Sequence, residues 1–591
     1  MEPRLVQELR PLFAGRKVVL TGGPLAASTV MCRRLRELGA ERPFVLATGT
    51  GTGELPHPDE ADWCVVELRA PDVMSEIRKA MRLLRLLPSQ VVEALDHWDP
   101  ERRALVLSPM FNELPEIAGR RVYGPRRPAW RRLEDKVVVD ALWDDLGITR
   151  APSAVVAAEA EALWAAARRL DRGAGTAWAG DARQGFHGGA SLLRWVRGVE
   201  DVEEAAAFLG ARCDRARVMP FLEGIPCSIH GVVFPRGVAT FRPVEMVTLR
   251  QPGSSRLRYA GAATFWDPPP ADREVMRDLA RRVGEGLRQR VGYRGTFTVD
   301  GVLAAEGFLP TELNPRMGAG LSAMTRDLPE LPVALLDRVL IEGEPLALSA
   351  AGLESQVLAA ADRTRAGGAW TVTTVTARTT QELPVVFDGG ACRPLANGQE
   401  PHGVLSFGPS GVGGFVRLAS TRRVCPPGRR WRRSPWPRSP WPTSALAPAS
   451  VRWSRPAPAG ERGDAPPDLR GRVGGPCAGL DDPAPPSAAA DGEAVDHQQQ
   501  DGPDDGGQPG ADVEELVNRV AAEQHLGQEA AEDGPDDPDD DGHDDAARVV
   551  AGHDGLGDEP REQAEDDPTD DAHAMSFRRS GGRWPPLTAM E

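Results

Sequence analysis

One segment near the middle of the chain constrains the fold more than any other. Residues 296–320, TFTVDGVLAAEGFLPTELNPRMGAG, predict two strands joined by a turn near residues 305–307. Asp300 ends the first strand, and Glu312 and Asn314 lie on the second. Because side chains alternate between the faces of a strand, Glu312 and Asn314 share one face, and the hairpin can bring Asp300 beside them.

Two carboxylates and an amide oxygen that converge in this way form a set of hard oxygen donors. Such donors suit Mg²⁺, with ATP phosphates filling the remaining coordination sites. Pro315 ends the strand, and Arg316 can then direct a planar cation towards a phosphate. The alternative is a surface hairpin whose acidic side chains are solvated. The unusual order E-L-N-P-R favours the metal site.

This pattern, Asp300 followed by Glu-x-Asn-Pro-Arg at residues 312–316, resembles the metal-binding signature of the ATP-grasp superfamily. That group includes carboxylate–amine ligases, peptide ligases, biotin carboxylase and carbamoyl-phosphate synthase. The resemblance implies that Asp300, Glu312 and Asn314 hold Mg²⁺, or Mn²⁺ in its place, against the ATP phosphates. It also implies that Arg316 lies near the phosphoryl group that is transferred.

The resemblance extends upstream to a segment with a lysine. Residues 133–146 predict an amphipathic helix similar to the family's Asp-Lys helix, in which Lys136 would contact the ATP phosphates. The chain has only two other lysines, Lys17 and Lys79, among 70 basic residues, so the presence of Lys136 is informative. A solvated helix lysine is the alternative.

Two further segments resemble the nucleotide-binding parts of the family. Residues 180–191, GDARQGFHGGAS, are similar to the glycine-rich loop that closes over the phosphates, although a plain hairpin loop is the alternative. Residues 217–231 resemble the segment whose backbone bonds adenine. The matching residues are Gly185, Gly188 and Gly189 in the loop, Met219, Phe221 and Leu222 at the base, and Glu223 at the ribose hydroxyls.

The chain departs from the family at two positions. Many members carry a second lysine on the strand before the glycine-rich loop, where this chain has GTAWAGDAR with Arg183 as the nearest cation. Many also have a glutamate where Pro226 stands, which leaves the ribose role of Glu223 open. Both departures bear on catalytic power, and the missing lysine favours, as an alternative, a protein that binds ATP and regulates a partner without catalysis.

Several other polar residues invite a role. His187 and His230 could act as acid–base groups, but a solvent-facing loop position and a structural strand position are the expected alternatives. Arg242, Glu245 and Arg250 could face the acceptor site, and a half-buried strand explains their spacing equally well.

The order of elements predicts an α/β and α+β protein. Residues 1–130 alternate apolar strands with helices, as in a Rossmann-like parallel-sheet domain, and the Gly22-Gly23 turn is expected to be a plain strand-to-helix turn. Residues 131–345 form the predicted ATP-grasp domain. Residues 346–417 are expected to form a small β-rich domain.

The composition changes at about residue 418. Residues 418–591 contain 18 Arg and 35 Asp plus Glu, have no Lys, Ile or Tyr, and have Phe577 as their only Phe. Such a segment buries too little apolar surface to offset its ordering entropy, so disorder is expected. A change of reading frame near residue 418 is an equal alternative, and an RNA-binding Arg/Trp tract with an acidic mimic is a more distant one.

The remaining composition excludes several classes. Residues 1–417 are nearly neutral, with 52 basic and 51 acidic residues, so no broad nucleic-acid surface is expected. The seven cysteines form no C-x-x-C pair, and no segment reaches the ~20 apolar residues of a membrane span. We therefore expect a cytoplasmic protein, and the ATP-grasp resemblance implies a ligase that uses ATP to convert a small carboxylate to an acylphosphate for attack by an amine. The alternative is a carboxylase or carbamoyl-type enzyme using bicarbonate; a homodimer is compatible with either.

Overall fold

The computed structural model describes residues 4–183, 185, 187–250, 254–374, 376–388, 391–395, 399–423 and 575–578. Most of the segment predicted as a disordered or out-of-frame tail lies outside these residues. None of the helices in the described part of the chain is both long enough and apolar enough to cross a membrane.

The chain begins with a parallel sheet flanked by helices. Its strands run in the spatial order β3-β2-β1-β4, and every pair among them is parallel. The elements are α1 (Arg4–Phe13), β1 (Val18–Gly23), α2 (Leu25–Glu37), β2 (Phe44–Ala47), β3 (Asp62–Val66), α3 (Val73–Arg85), α4 (Ser89–Trp98) and β4 (Leu105–Leu107). The predicted parallel sheet is confirmed.

Helices lie on both faces of this sheet because its strands are apolar on both faces. Val18 and Leu20 pack in one core with α1 and α2, whereas Val19 between them packs in another core with α3 and α4. The Gly22-Gly23 turn joins β1 to α2. The first amides of α2, those of Leu25 and Ala26, donate to the carbonyls of residues 49 and 50 at 2.9 Å, as expected for a plain structural turn.

The next region contains a four-stranded antiparallel sheet in the order β7-β10-β8-β9. Helices α7 and α8 cover one of its faces, with Trp178 and Leu209 in the core between them. The elements are β5 (Glu116–Ile117), β6 (Arg120–Arg121), α5 (Pro128–Arg132), α6 (Val139–Asp145), β7 (Ala154–Ala157), α7 (Ala160–Leu170), β8 (Thr176–Gly180), β9 (Leu193–Val196), α8 (Val199–Gly210) and β10 (Arg215–Pro220).

The predicted helix over residues 133–146 is wrong in its first half. The structure has two short helices, α5 and α6, and the turn between them contains Lys136. The carboxylate of Asp135 accepts a hydrogen bond from the amide of Val137 at 3.1 Å. An aspartate that binds the backbone two residues later favours a turn over a helix, and periodicity alone does not reveal this.

The largest sheet is antiparallel throughout. Its order is β16-β15-β11-β13-β14-β17-β21-β20-β18-β19, with β12 paired to β11. Its elements, with the associated helices, are β11 (Ile225–Phe234), β12 (Gly237–Thr240), β13 (Val244–Arg250), β14 (Leu257–Ala263), α9 (Pro270–Val291), β15 (Gly295–Ala304), β16 (Gly307–Asn314), α10 (Gly320–Met324), α11 (Val333–Glu342), α12 (Ala350–Arg363), β17 (Thr364–Thr373), β18 (Gln381–Asp388), β19 (Ala391–Pro394), β20 (Gly403–Ser410) and β21 (Gly413–Arg423).

The strands predicted as a separate β-rich domain continue this same sheet, because β17 pairs with β14. The predicted boundary at residue 417 falls inside β21. The last described strand, β22 (Met575–Arg578), pairs with β3 at the edge of the parallel sheet. Mixed parallel and antiparallel sheets thus confirm the predicted fold class.

Gly124 and Gly147 have similar backbone angles but different space around them. Substituting each with alanine therefore distinguishes the cost of backbone strain from the cost of steric crowding. Gly124 has φ +66°, and a Cβ there would lie 2.8 Å from the Cα of Arg338. Gly147 has φ +61° and nothing within 4 Å of that position. We expect Gly147→Ala to cost roughly 1–2 kcal/mol from the left-handed backbone alone, and Gly124→Ala to cost more. Thermal unfolding of both variants checks this, and equal losses of Tm would contradict it.

Candidate active site

The predicted metal ligands meet on one face of the β15–β16 hairpin. Asp300 stands opposite Glu312, and Thr298 stands opposite Asn314. The ladder then shifts register, so that Gly301 faces Pro310 and the residue between Pro310 and Glu312 has no opposite partner. Such a bulge re-aims the side chains beside it, and it accounts for Glu312 lying across from Asp300.

Hydrogen bonds join these side chains to the two predicted cations. Asn314 Nδ2 donates to Asp300 Oδ2 at 2.8 Å, and Arg316 Nη2 donates to Asn314 Oδ1 at 2.8 Å. Lys136 Nζ lies 2.8 Å from Glu312 Oε1. The five residues that the sequence assigned to metal and phosphate therefore form two bonded sets, which meet where Asp300 stands opposite Glu312.

The electrostatics of the group follow from burial and from these neighbours. Burial, and then the negative charge of Glu312, raise the pKa of Asp300. Burial also opposes ionisation of Glu312, but the charges of Lys136 and Arg316 hold its pKa below the ordinary value. Two half-buried carboxylates that face each other favour positive charge between or beside them, which is the environment of a cation site.

The short segment before Lys136 orients Arg316. Glu134 Oε1 lies 2.9 Å from Arg316 Nε and also 2.9 Å from Arg126 Nη2. The guanidinium of Arg316 lies 5.4 Å from the ring centre of Phe111, in the loop that follows β4. The carboxyl-terminal edge of the parallel sheet thus contributes a side chain to the group.

Arg217 is a residue of the site that sequence reasoning missed. It is buried on β10, and its Nη1 donates to the carbonyl of Thr311, the bulged residue beside Glu312, at 2.9 Å. Its Nε donates to Asp140 Oδ2 at 2.8 Å, in helix α6. Arg217 therefore ties the Lys136 segment to the strand that carries Glu312. The available signal was an arginine inside the strand, between the apolar residues Ala216 and Val218.

The residues predicted to bind adenine and ribose differ from one another in their surroundings. Met219 and Leu222 pack with Leu309 of β16 and Ala177 of β8 in a small apolar cluster that joins the two antiparallel sheets. Phe221 stacks on Trp195 with ring centres 4.1 Å apart. Glu223 is exposed. The apolar cluster and the stacked pair form a surface suited to a planar base.

The glycine-rich segment begins against the Lys136 turn. The amide of Ala182 donates to Asp135 Oδ2 at 3.3 Å. Gly185 and Gly189 have φ of +86° and +60°, a region that glycine adopts without strain, while Gly188 has an ordinary backbone. These three glycines therefore shape a loop that starts beside the predicted phosphate lysine.

His230 is buried and His187 is half-buried, although a solvent-facing position was expected for His187. Burial and the charge of Lys136 lower the pKa of His187. His230 lies on β11, and burial lowers its pKa to about 3. A Cβ on Gly318 would lie 2.7 Å from His230 Nε2, so the loop after Arg316 packs directly on this ring.

The three residues that the sequence suggested for the acceptor site, Arg242, Glu245 and Arg250, differ in their surroundings. Arg242 is buried, and its guanidinium bonds Asp267 and Asp362 at 2.6 Å, which is a structural role. Burial raises the pKa of Glu245 to about 7. The side chain of Arg250 lies outside the described residues.

A cavity of about 480 Å³ lies between residues 69–71 and residues 411–413, and none of the predicted site residues lines it. Among the described residues, no three His, Cys, Asp or Glu side chains converge as a metal cluster. The site on the β15–β16 hairpin has only two such side chains, Asp300 and Glu312, and its third oxygen donor is the amide of Asn314.

Comparison with known proteins gives similarity to solved structures only. No protein-family model matches the chain, and no curated protein matches it. Pyruvate carboxylase of Rhizobium etli is 14% identical with a TM-score of 0.44; the match covers 69% of this chain but 38% of that one. The biotin carboxylase domain of Hydrogenobacter thermophilus 2-oxoglutarate carboxylase is 13% identical with a TM-score of 0.46, covering 69% and 86%.

A third similar structure is the N5-carboxyaminoimidazole ribonucleotide synthetase of Thermus thermophilus. It is 17% identical with a TM-score of 0.38, and the match covers 68% of this chain and 93% of that one. At these identities and TM-scores, the likenesses assign neither a substrate nor an activity to this chain.

The Arg217–Asp140 pair can be tested by removing one partner and then both. Arg217→Met leaves Asp140 buried without its main cation, which typically costs about 3–5 kcal/mol. In the double variant Arg217→Met/Asp140→Leu no buried charge is left, and we expect it to regain most of the lost stability. Thermal unfolding of the three proteins checks this. A double variant no more stable than Arg217→Met would contradict the account.

His230 gives a prediction about pH. Its pKa is about 3 in the folded protein and about 6.5 when unfolded, so between these values only the unfolded chain binds the proton. The stability contribution is present above pH 6.5 and is lost at about 1.4 kcal/mol per pH unit as the pH falls. Unfolding measured from pH 7 to 5 should show a shallower fall for His230→Gln than for wild type; parallel curves would contradict this.

Proposed function

We propose that this chain is an ATP- and magnesium-dependent ligase of the ATP-grasp type that activates a carboxylate for attack by an amine. The observation that supports the proposal is the convergence of Asp300, Glu312 and Asn314 with Lys136 and Arg316. A structural hairpin has no need of two half-buried, facing carboxylates bordered by two cations.

The donor set fits a hard divalent cation. Asp300 and Glu312 offer carboxylate oxygens and Asn314 an amide oxygen, on one face of two adjacent strands. These three residues would hold the ion, with nucleotide phosphates as its other ligands. When bound, Mg²⁺ supplies positive charge that offsets the negative charge of the phosphates.

The chain's own cations orient the phosphates. Lys136 lies on a turn held by Asp135, and Arg316 is oriented by Glu134 from one side and by Asn314 from the other. A guanidinium held at two points has little freedom to lose when it binds a phosphate oxygen, so its charge is preorganised for the transferring group.

The proposed reaction has two steps. A carboxylate oxygen of the substrate bonds to the γ-phosphorus while the bond to the bridging oxygen breaks, which gives an acylphosphate and ADP. The amine nitrogen then bonds to the acyl carbon, inorganic phosphate leaves, and the nitrogen loses a proton. The base-binding surface near Met219 and Leu222 would hold adenine, and the segment with Gly185, Gly188 and Gly189 would exclude water from the intermediate.

A second candidate function is ATP binding without catalysis. The strand before the glycine-rich segment, β8, carries no lysine. Arg183, the nearest cation in sequence, pairs with Asp214 at 2.9 Å, and both side chains are largely exposed. This observation favours a regulatory nucleotide-binding protein, and an assay of ADP formation separates the two functions.

The test measures ADP release by the full chain with ATP, Mg²⁺ and pooled carboxylic acids and amines. We expect Glu312→Gln to lower turnover by about a hundredfold or more, because it removes an anionic ligand and the partner of Lys136. The control is Glu306→Gln, an exposed residue at the turn of the same hairpin, which should behave as wild type.

Equal ADP release by wild type and Glu312→Gln would reject the assignment of the metal site. Nucleotide binding without ADP formation, across the panel, would support the regulatory function. ADP release that depends on bicarbonate rather than on any added acid would identify a carboxylase or carbamoyl-type reaction.

A further inference from the structure

The absence of a lysine on β8 leaves a gap in the cations around the phosphates. Arg183 does not fill it, because its Nη1 bonds Asp214 Oδ1 at 2.9 Å in an exposed ion pair. Whatever group replaces this lysine must therefore come from another position that reaches the Lys136–Glu312 pair.

His187 is placed to do so. Its Nδ1 lies 3.3 Å from the carbonyl oxygen of Gly185, and its Nε2 is buried with no hydrogen-bond partner among the described residues. A ring nitrogen buried without a partner is costly in a structural position, and it is a recurrent feature of groups that meet a ligand.

The charges that face this ring are those of the phosphate site. Burial and the charge of Lys136 lower the pKa of His187, whereas the carbonyl of Gly185 and the charges of Glu312 and Asp135 act in the opposite direction. The ring donates through Nδ1–H to Gly185, and a proton on Nε2 would provide a second donor. An adjacent phosphate supplies the negative charge that favours that protonated form.

We propose that His187 binds the terminal phosphates of the nucleotide through Nε2, in place of the lysine that β8 lacks. The inference rests on the proposed function, since it presumes that ATP binds in this cleft. It assigns a phosphate-binding residue to the glycine-rich segment, where a histidine was otherwise expected to be a solvent-facing loop residue. Its contact is with phosphate alone, so the adenosine part of the nucleotide should be bound independently of it.

The experiment measures equilibrium binding of a non-hydrolysable ATP analogue with Mg²⁺, and of adenosine, by the full chain. We expect His187→Gln to weaken binding of the analogue about tenfold or more, as for loss of a charged hydrogen bond, and to leave adenosine binding unchanged. His187→Lys should restore binding of the analogue. Arg183→Gln is the matched control and should bind both ligands as wild type.

Three results would overturn the inference. The first is a His187→Gln variant that binds the analogue as tightly as wild type. The second is a His187→Gln variant that loses affinity for adenosine equally, which indicates a structural role. The third is weaker binding of the analogue by Arg183→Gln alone. A wild-type protein that binds neither ligand would instead refute the proposed function itself, and the inference with it.

Discussion

Two ion pairs of opposite sense hold the candidate site together. Glu134 pairs with Arg316 at 2.9 Å, and two residues further on Lys136 pairs with Glu312 at 2.8 Å. The turn between α5 and α6 and the end of β16 are therefore joined twice, once through each sign of charge. Such a double pairing fixes one relative position of the two segments, because a shift that keeps one pair breaks the other.

Buried residues outside the two ion pairs also contact the segments that these pairs join. Arg217 reaches from the four-stranded sheet to the bulge beside Glu312 and to Asp140 in α6, so three segments meet at one buried guanidinium. His230 underlies the loop that follows Arg316. The large sheet carries the oxygens proposed to bind the metal, and the smaller sheet carries apolar residues proposed to contact the base. These contacts set the distance between the two groups.

Contacts between residues close together in the sequence could be predicted, whereas contacts between residues far apart in the sequence could not. Asp300, Glu312 and Asn314 lie within one hairpin, where period-two alternation is enough to place them together. The turn at Lys136 depended on the side chain of Asp135, and the partners of Arg217 lie 77 and 94 residues away. The pairing of β14 with β17 crosses about a hundred residues, which is why strands of the main sheet were predicted as a separate domain.

The central claim is that oxygens of residues 300, 312 and 314 bind a divalent cation together with the nucleotide phosphates. Electron paramagnetic resonance of Mn²⁺, titrated into the full chain with and without ADP, tests it directly. The account predicts that ADP tightens Mn²⁺ binding to wild type, and that Asp300→Asn abolishes this tight binding while the chain stays folded. Equal Mn²⁺ binding by wild type and Asp300→Asn in the presence of ADP would contradict the account.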